Sequence, residues 1–343
     1  MRILTYLKMR RLLRYRLIAP RKIVAENVVI PKPSKNEVLI KIKACGICGT
    51  DIHAFHGKHP FITPPIVLGH EFSGVEVESG RRVVVEPSVT CGKCYNCRSG
   101  RYNICNELKV LGCQLDGAFS EYIAVLKDKV FEIPESISFE EATLVEPTAV
   151  AVHGVKKVYP VGNDRIFVFG AGPIGLLTIQ VLEAYDAREI IVADISQFRL
   201  ELAKELGAHY VVNPRKGNVV KWVHEKFGLD GIDKVFECVG GSQESTINHS
   251  IELVRKGAKI LILGVFQRKM PVNIALIQDR ELEILGSLMY TRIDFLESIK
   301  LIQKGKINAE KIVSKVIPME KVCEAFELIE KEREKVVKVV LNF

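Results

Sequence analysis

One short stretch near the middle of the chain constrains the fold more than any other feature. An apolar run at Arg165–Phe169 leads directly into the turn GAGPIG at residues 170–175, and an amphipathic helical pattern follows to about Tyr185. Between a buried strand and a helix, such a turn is the arrangement that binds a dinucleotide pyrophosphate, because it brings phosphate close to a helix N-terminus. The predicted cofactor-binding residues of the turn are Gly170, Gly172, Pro173, Ile174 and Gly175.

A carboxylate beyond the turn predicts which dinucleotide binds. Asp194 ends the next apolar run, where an acidic residue accepts hydrogen bonds from the adenosine ribose hydroxyls. The same carboxylate repels a 2′-phosphate, so the sequence predicts NAD in preference to NADP. Arg199 is also predicted to bind the cofactor, and it weakens this preference because a nearby arginine accommodates the 2′-phosphate of NADP.

The two parts of the chain on either side of the turn differ in composition. From about residue 139 to 290, short apolar runs alternate with helical patterns, which predicts strands buried on both faces of a parallel sheet with helical crossovers. The first 120 residues contain Val- and Ile-rich stretches separated by Gly and Pro, which predicts a compact β-rich domain. Because 343 residues exceed what one core usually serves, the predicted class is α/β with two domains.

The basic charge is concentrated at one end. The formal net charge is +8, and the first 22 residues contain eight bases and no acid. Removing these eight from the 49 bases leaves 41, which equals the number of acids. We therefore expect the charge to belong to a short N-terminal arm, which disfavours a nucleic-acid partner. The sequence shows no apolar run of membrane-spanning length and no secretory signal, so no membrane is expected and the cytoplasm is the expected location.

Four of the nine cysteines lie within fifteen residues and predict a metal site. Zinc accepts four thiolates tetrahedrally, and a site with no open position is structural. An iron–sulfur cluster is the alternative, but its usual run has a shorter last spacing followed by proline. The predicted ligands of the structural zinc are Cys91, Cys94, Cys97 and Cys105.

A second group of possible ligands is spread along the first half of the chain. It comprises Cys45 and Cys48, His70-Glu71, and Glu146. A catalytic zinc uses such a mixed set of donors and keeps one position open. The residues alone leave two alternatives, since Cys45 and Cys48 also fit a redox-active CxxC pair and a lone histidine is often structural.

Five motifs follow one another along the chain: GICGTDIH, LGHEF, the four-cysteine segment, LVEP and GAGPIG. In this order they resemble the zinc-containing medium-chain alcohol dehydrogenases, in particular the branch of sorbitol, 2,3-butanediol and L-threonine dehydrogenases. The resemblance implies a β-rich GroES-like catalytic domain over residues 1–147, completed by 290–343. It also implies a Rossmann NAD-binding domain, a doubly wound parallel sheet, over residues 148–289.

The resemblance also assigns roles to individual residues. Thr50 matches the hydroxyl that passes the substrate proton outward, and His53 matches the histidine that relays it. Cys45 has no role in the family. The residues implied as ligands of the catalytic zinc are Cys48, His70 and Glu146, with Glu71 close behind the metal as a transient ligand.

The implied enzyme transfers a hydride from a secondary alcohol, such as a vicinal diol or a sugar alcohol, to NAD and holds two zinc ions per chain. L-threonine 3-dehydrogenase is the main alternative, and a non-enzymatic zinc module that binds nucleic acid is a remote one. A homotetramer is expected by analogy with the branch.

Two departures from the family bear on these expectations. Sorbitol dehydrogenases place an arginine before a tyrosine to hold polyol hydroxyls, and this chain has Met289 before Tyr290, which favours a smaller or less hydroxylated substrate. Residues 78–81 also shorten a connection that is longer in the family, which predicts a tight turn between two strands.

Overall fold

The computed structural model describes residues 11–159, 162–241 and 244–343. Residues 1–10, which include much of the predicted basic arm, lie outside these ranges. The chain forms two compact units: the first contains the chain up to Glu146 with residues 291–304 and 313–343, and the second contains residues 147–290 and 305–312. Among the described residues, no helix has both the length and the apolar character that a bilayer span requires.

Strands and helices follow the apolar runs and helical patterns of the sequence. The strands are β1 (Arg11–Ala19), β2 (Lys22–Val29), β3 (Glu37–Gly46), β4 (Ile66–Val67), β5 (Glu71–Glu76), β6 (Arg82–Val85), β7 (Ser88–Val89), β8 (Lys109–Val110), β9 (Tyr122–Leu126), β10 (Val130–Glu132), β11 (Arg165–Phe169), β12 (Glu189–Ala193), β13 (Tyr210–Val212), β14 (Lys234–Glu237), β15 (Lys259–Ile262), β16 (Glu283–Gly286), β17 (Val313–Pro318) and β18 (Lys338–Asn342). The α-helices are α1 (Gly49–Phe55), α2 (Tyr95–Arg98), α3 (Phe139–Ala142), α4 (Val145–Val158), α5 (Pro173–Ala184), α6 (Gln197–Glu205), α7 (Val219–Phe227), α8 (Glu244–Leu253), α9 (Ile274–Asp279), α10 (Arg292–Gln303), α11 (Ala309–Ile312) and α12 (Val322–Lys331).

The second unit contains a six-stranded parallel sheet. Its order is β13-β12-β11-β14-β15-β16. This is the doubly wound order: the chain starts at β11 in the middle of the sheet, builds one half outward, and then returns to build the other half from β14. The apolar side chains of β11 and β12 are almost fully buried, as expected for strands covered on both faces. The prediction of a Rossmann sheet is therefore confirmed, and the glycine-rich turn follows β11, next to the switch point where such sheets bind ligands.

The first unit is β-rich, as predicted. Its larger sheet runs β10-β6-β5-β3-β18-β17, with β9 also paired to β3, and a smaller sheet runs β2-β1-β4. The C-terminal strand β18 pairs antiparallel with the end of β3, so the last residues of the chain complete a sheet begun by its first fifty. The core joins the strand residues Ile40 and Phe72 and the loop residue Phe119 to Phe326 of α12.

The prediction that the basic N-terminal segment is a free arm is wrong for residues 11–19. These residues form β1, which pairs antiparallel with β2 along its length. Arg14 and Arg16 each contact the Glu26 carboxylate, at 2.7 and 3.0 Å, and Arg16 also contacts Asp116 at 2.7 Å. Leu12, Tyr15 and Leu17 of this strand are buried, while Arg14 and Arg16 contact acids on neighbouring segments, which a charge count along the sequence does not reveal.

Pro147 does not interrupt a helix, although the sequence pattern predicts an interruption there. The pattern over residues 139–157 divides into α3 and α4, and Pro147 is the third residue of α4. Since the first backbone N–H groups of a helix have no partner within it, a proline at this position removes no hydrogen bond.

The shortened connection at residues 78–81 forms the predicted tight turn. Glu76 ends β5 and donates its backbone N–H to the carbonyl of Arg81, at 2.9 Å. Gly80 has a φ of +75°, a conformation that favours glycine.

Candidate active site and zinc centres

The four predicted cysteine ligands meet in one place. Their Sγ atoms all lie within 4.8 Å of one another, with separations of 3.5 Å for Cys91–Cys105, 3.9 Å for Cys94–Cys105 and 4.0 Å for Cys91–Cys97. Tetrahedral zinc with Zn–S bonds of ~2.3 Å places its sulfurs about 3.8 Å apart. The donor set therefore fits a closed structural zinc site.

Backbone N–H groups lower the pKa of two of these thiols, whereas burial raises that of Cys97. Hydrogen bonds from the backbone N–H groups of Asn106 and Cys97 lower the pKa of Cys94 to about 6. Burial raises the pKa of Cys105, but N–H groups of Cys91 and Glu107 outweigh it, so that this pKa is lowered overall. Because zinc binds the thiolate, lowered pKa values favour the ligand form near neutral pH.

A second group of donors lies where β3, α1 and β5 meet. Cys48 directly precedes α1, and His70 directly precedes β5, after Gly69 with a φ of +93°. The ligand atoms of Cys48, His70 and Glu71 all lie within 4.8 Å of one another. The Nδ1 atom of His70 is buried and has no hydrogen-bond partner among the described residues. A thiol, an imidazole and a carboxylate so placed fit a zinc ion.

Asp51, which is not among the residues predicted from the sequence, organises this group. The Asp51 carboxylate is fully buried and accepts hydrogen bonds from the backbone N–H groups of Cys48, at 2.9 Å, and Gly69, at 3.2 Å. It also lies 3.7 Å from Nδ1 of His70. Burial alone lowers the pKa of His70, but the charges of Asp51 and Cys48 raise it well above its ordinary value. The feature of the sequence that could have identified Asp51 is an acidic residue three positions after Cys48, at the start of a helix.

Two further side chains reach this group from distant segments. The Cys113 thiol, like that of Cys48, contributes to the raised pKa of His70. The Lys338 ammonium, from β18, donates to both carboxylate oxygens of Glu71, at 2.8 and 2.7 Å. In the sequence, Lys338 lies among the valines of a strand-like segment, a setting that gives no indication of this contact.

The other predicted residues of this site lie nearby but are not all part of the group. Glu146, in the first turn of α4, is buried, and its carboxylate is not within 4.8 Å of all three donors. Thr50 and His53 lie on α1, and both are half-buried. Burial lowers the pKa of His53, and the neighbouring positive charges of Arg333 and other basic groups lower it further. His53 therefore favours its neutral form, which accepts protons.

The glycine-rich turn has the shape that a pyrophosphate requires. Gly170 has a φ of +92°. A Cβ on Gly175 would lie 1.8 Å from the carbonyl oxygen of Gly170, whereas a Cβ on Gly172 would meet no atom within 4 Å. Gly175 therefore permits the close packing of α5 on β11, and Gly172 leaves open space before the helix. Pro173 and Ile174 form the first turn of α5.

Asp194 directly follows β12, and its side chain links this end of the strand to the glycine-rich turn through hydrogen bonds. Its carboxylate accepts hydrogen bonds from the backbone N–H groups of Ala171 and Ser196, each at 2.8 Å. Arg199 contacts the same carboxylate at 2.7 Å. The two residues predicted to select the cofactor thus form one ion pair beside the glycine turn.

Comparisons with known proteins match both parts of the chain to described families. The zinc-binding dehydrogenase family matches residues 173–304, and the alcohol dehydrogenase GroES-like domain matches residues 34–135. Sorbitol dehydrogenase of Bacillus subtilis is 34% identical over 321 residues, 90% of each chain. L-threonine 3-dehydrogenase of Pyrococcus horikoshii is 37% identical over 318 residues, 88% of this chain and 90% of that one.

A solved structure extends the similarity to three dimensions. The crystal structure of an alcohol dehydrogenase of Escherichia coli CFT073, RspB, in complex with NADH has a TM-score of 0.91 and 34% identity to this chain. The match covers 97% of this chain and 99% of the other. The class defined by fold and donor sets is that of oxidoreductases that combine zinc with a nicotinamide dinucleotide. Within it, the chain belongs to the zinc-containing alcohol dehydrogenase family, so the predicted family, fold and cofactors are confirmed.

Proposed function

We propose that the protein oxidises a secondary alcohol, a vicinal diol or a sugar alcohol, with NAD as hydride acceptor. The observation that carries this proposal is the presence of two unlike donor sets in one unit. Four thiolates close one zinc site, whereas a mixed set of donors leaves a position open for substrate. The similarity to sorbitol dehydrogenase along 90% of the chain supports this substrate class.

In this proposal, the residues of the chain bind the cofactors and move a proton. Zinc, when bound, supplies a Lewis acid that lowers the pKa of an alcohol hydroxyl, and NAD, when bound, accepts the hydride. Thr50 hydrogen-bonds to the substrate hydroxyl, and the neutral imidazole of His53 receives the proton and releases it to solvent. The residues proposed to hold the catalytic zinc are Cys48, His70 and Glu71, whose ligand atoms lie within 4.8 Å of one another, with Glu146 as a further ligand, while residues 170–175 hold the pyrophosphate.

Metal analysis and a substrate panel test the proposal. The purified protein is expected to contain two zinc ions per chain, one of which a chelator removes together with activity. With NAD, we expect turnover of 2,3-butanediol, sorbitol or galactitol. A single inert zinc and no turnover of any alcohol would instead favour the non-enzymatic zinc module.

L-threonine is the second candidate substrate, and a specific finding favours it. The L-threonine 3-dehydrogenase of P. horikoshii is 37% identical to this chain, above the 34% of the sorbitol dehydrogenase. Threonine presents a carboxylate and an ammonium group besides its secondary hydroxyl, so its enzyme needs charged partners for both. Activity on threonine alone in the same panel would replace the diol proposal.

The preference for NAD is proposed to depend on Asp194. In Asp194→Ala, the ratio of kcat/KM for NAD to that for NADP is expected to fall by about 10- to 100-fold, since hydrogen bonds to a charged group contribute ~1.5–3 kcal/mol. Loss of the bond to Ala171 affects both cofactors alike and cancels in the ratio. In Arg199→Ala the ratio is expected to rise or stay level. An unchanged ratio in Asp194→Ala would show that another residue makes the selection.

The proposed relay predicts a pH dependence. Protonation of His53 blocks the transfer, so kcat/KM is expected to fall as the pH drops through the lowered pKa of His53. Arg333→Gln removes one of the charges that lower this pKa, so the fall is expected to begin at a higher pH. Arg98→Gln, an exposed arginine in α2, is the matched control and is expected to keep the wild-type profile. An unchanged profile in Arg333→Gln would exclude His53 as the group that limits activity at low pH.

A homotetramer in the cytoplasm is proposed by analogy with the family branch alone. Mass photometry of the purified protein would report the number of chains directly.

A further inference from the structure

His59 lies in the loop that follows α1, and it takes no part in the zinc binding or proton transfer proposed above. The backbone N–H of Lys58 donates to the carbonyl of His53, at 2.9 Å, so the start of this loop folds back onto the helix that carries the proposed relay. Burial lowers the pKa of His59, and the neighbouring positive charges of His53 and His70 lower it further. His59 therefore lies near both histidines and favours its neutral form.

A second loop fastens this one beside the candidate zinc ligands. It packs closely on the residue before His70, since a Cβ on Gly112 would lie 2.6 Å from the carbonyl oxygen of Gly69. From the same loop, the Nε2 atom of Gln114 donates to the carbonyl of Phe61, at 3.2 Å. The loop after α1 is thus tied, through one residue on each side, to the backbone that carries a zinc ligand.

Hydrogen bonding fixes which nitrogen of the His59 ring carries the proton. The backbone N–H of Phe61 donates to Nδ1 of His59, at 3.2 Å, so Nδ1 is an acceptor and the proton of the neutral ring lies on Nε2. The Phe61 ring meets the imidazole edge to face, with ring centroids 6.1 Å apart. No residue in the described part of the chain is a hydrogen-bond partner of Nε2. His59 therefore presents an oriented N–H donor beside the site.

We infer that His59 is a specificity-determining residue whose Nε2–H donates to a second hydroxyl of the substrate, next to the carbon that is oxidised. A vicinal diol offers this oxygen, whereas a simple secondary alcohol does not. A site that hydrogen-bonds a substrate hydroxyl discriminates against the analogue that lacks it. The neutral ring brings no charge, so it suits a hydroxyl and not the carboxylate of threonine, which calls for a cation. This inference rests on the proposed function and deepens it.

Two alcohols with the same carbon chain test the inference. 2,3-Butanediol has a hydroxyl next to the oxidised carbon and 2-butanol does not, so the ratio of their kcat/KM values isolates the contribution of this hydroxyl. In His59→Leu, the ratio of diol to 2-butanol is expected to fall about 3- to 10-fold, the usual effect of one neutral hydrogen bond, while kcat/KM for 2-butanol stays close to wild type. Dissociation constants of the two alcohols for the complex with NADH, measured from its fluorescence, should change by the same ratio.

Two further variants separate the donor from the loop that carries it. His59→Gln keeps an N–H donor at the end of the side chain and is expected to retain most of the wild-type ratio. His56→Leu is the matched control, because His56 directly follows α1 but its Nε2 atom pairs with Glu330 of α12, at 2.7 Å. It should leave the ratio unchanged.

The remaining outcomes count against the inference. A wild-type ratio in His59→Leu would overturn it, as would a fall in His59→Gln or in His56→Leu as large as that in His59→Leu. A protein that oxidises neither alcohol with NAD would overturn the proposed function and this inference with it. Oxidation of both alcohols at a ratio that does not depend on His59 would overturn the inference alone.

Discussion

Cys48→Ser is expected to lower kcat/KM by about 1,000-fold and to reduce the zinc content from two ions per chain to one. The catalytic zinc stabilises transition-state charge by several kcal/mol, and each ~1.4 kcal/mol corresponds to a tenfold change in rate. Cys48 supplies a thiolate beside His70 and Glu71, whose ligand atoms lie within 4.8 Å of its own. Zinc content by mass spectrometry and steady-state kinetics measure both effects.

Cys45→Ser is the matched control for this substitution. The Cys45 thiol is fully buried in the core, and burial raises its pKa well above the ordinary value. A serine there buries a hydroxyl in place of the thiol, which costs about 1–3 kcal/mol of stability, but both zinc ions and most activity should remain. If Cys45→Ser were the variant that loses zinc and Cys48→Ser kept it, the ligand assignment would be wrong.

The parts of the molecule that depend on local sequence could be predicted well. The glycine-rich turn and the four-cysteine segment each occupy one short stretch of sequence. Backbone geometry and residue spacing within that stretch determine the local structure. The alternation of short apolar runs with helical patterns likewise predicted the parallel sheet of β11 to β16. A continuous apolar run is typical of a strand that is buried on both faces of such a sheet.

The parts of the molecule that depend on distant partners could not be predicted from the sequence. Lys338 meets Glu71 across 267 residues of chain, and nothing near position 338 indicates an acid to pair with. Arg16 likewise contacts Asp116, which lies 100 residues away, besides Glu26 on the neighbouring strand. A charge count along the chain reveals neither pairing, because the energy that places these side chains comes from contacts in three dimensions.

Two glycines of the turn should respond differently to alanine, and the difference tests the cofactor site. Gly175→Ala places a Cβ 1.8 Å from the carbonyl oxygen of Gly170. Because that oxygen belongs to the backbone, α5 and β11 must move apart, at a cost of about 3 kcal/mol. We expect the melting temperature of the cofactor-free protein to fall by several degrees, and NADH binding to weaken at least tenfold.

Gly172→Ala introduces the same methyl group into open space. Gly172 has a φ of −71°, which alanine adopts without strain, so the melting temperature of the cofactor-free protein should stay within about one degree of wild type. NADH binding, measured by fluorescence titration, should still weaken, because the methyl group occupies the approach of the pyrophosphate. Unchanged affinity would place the pyrophosphate elsewhere, and a wild-type melting temperature in Gly175→Ala would contradict the tight packing of α5 on β11.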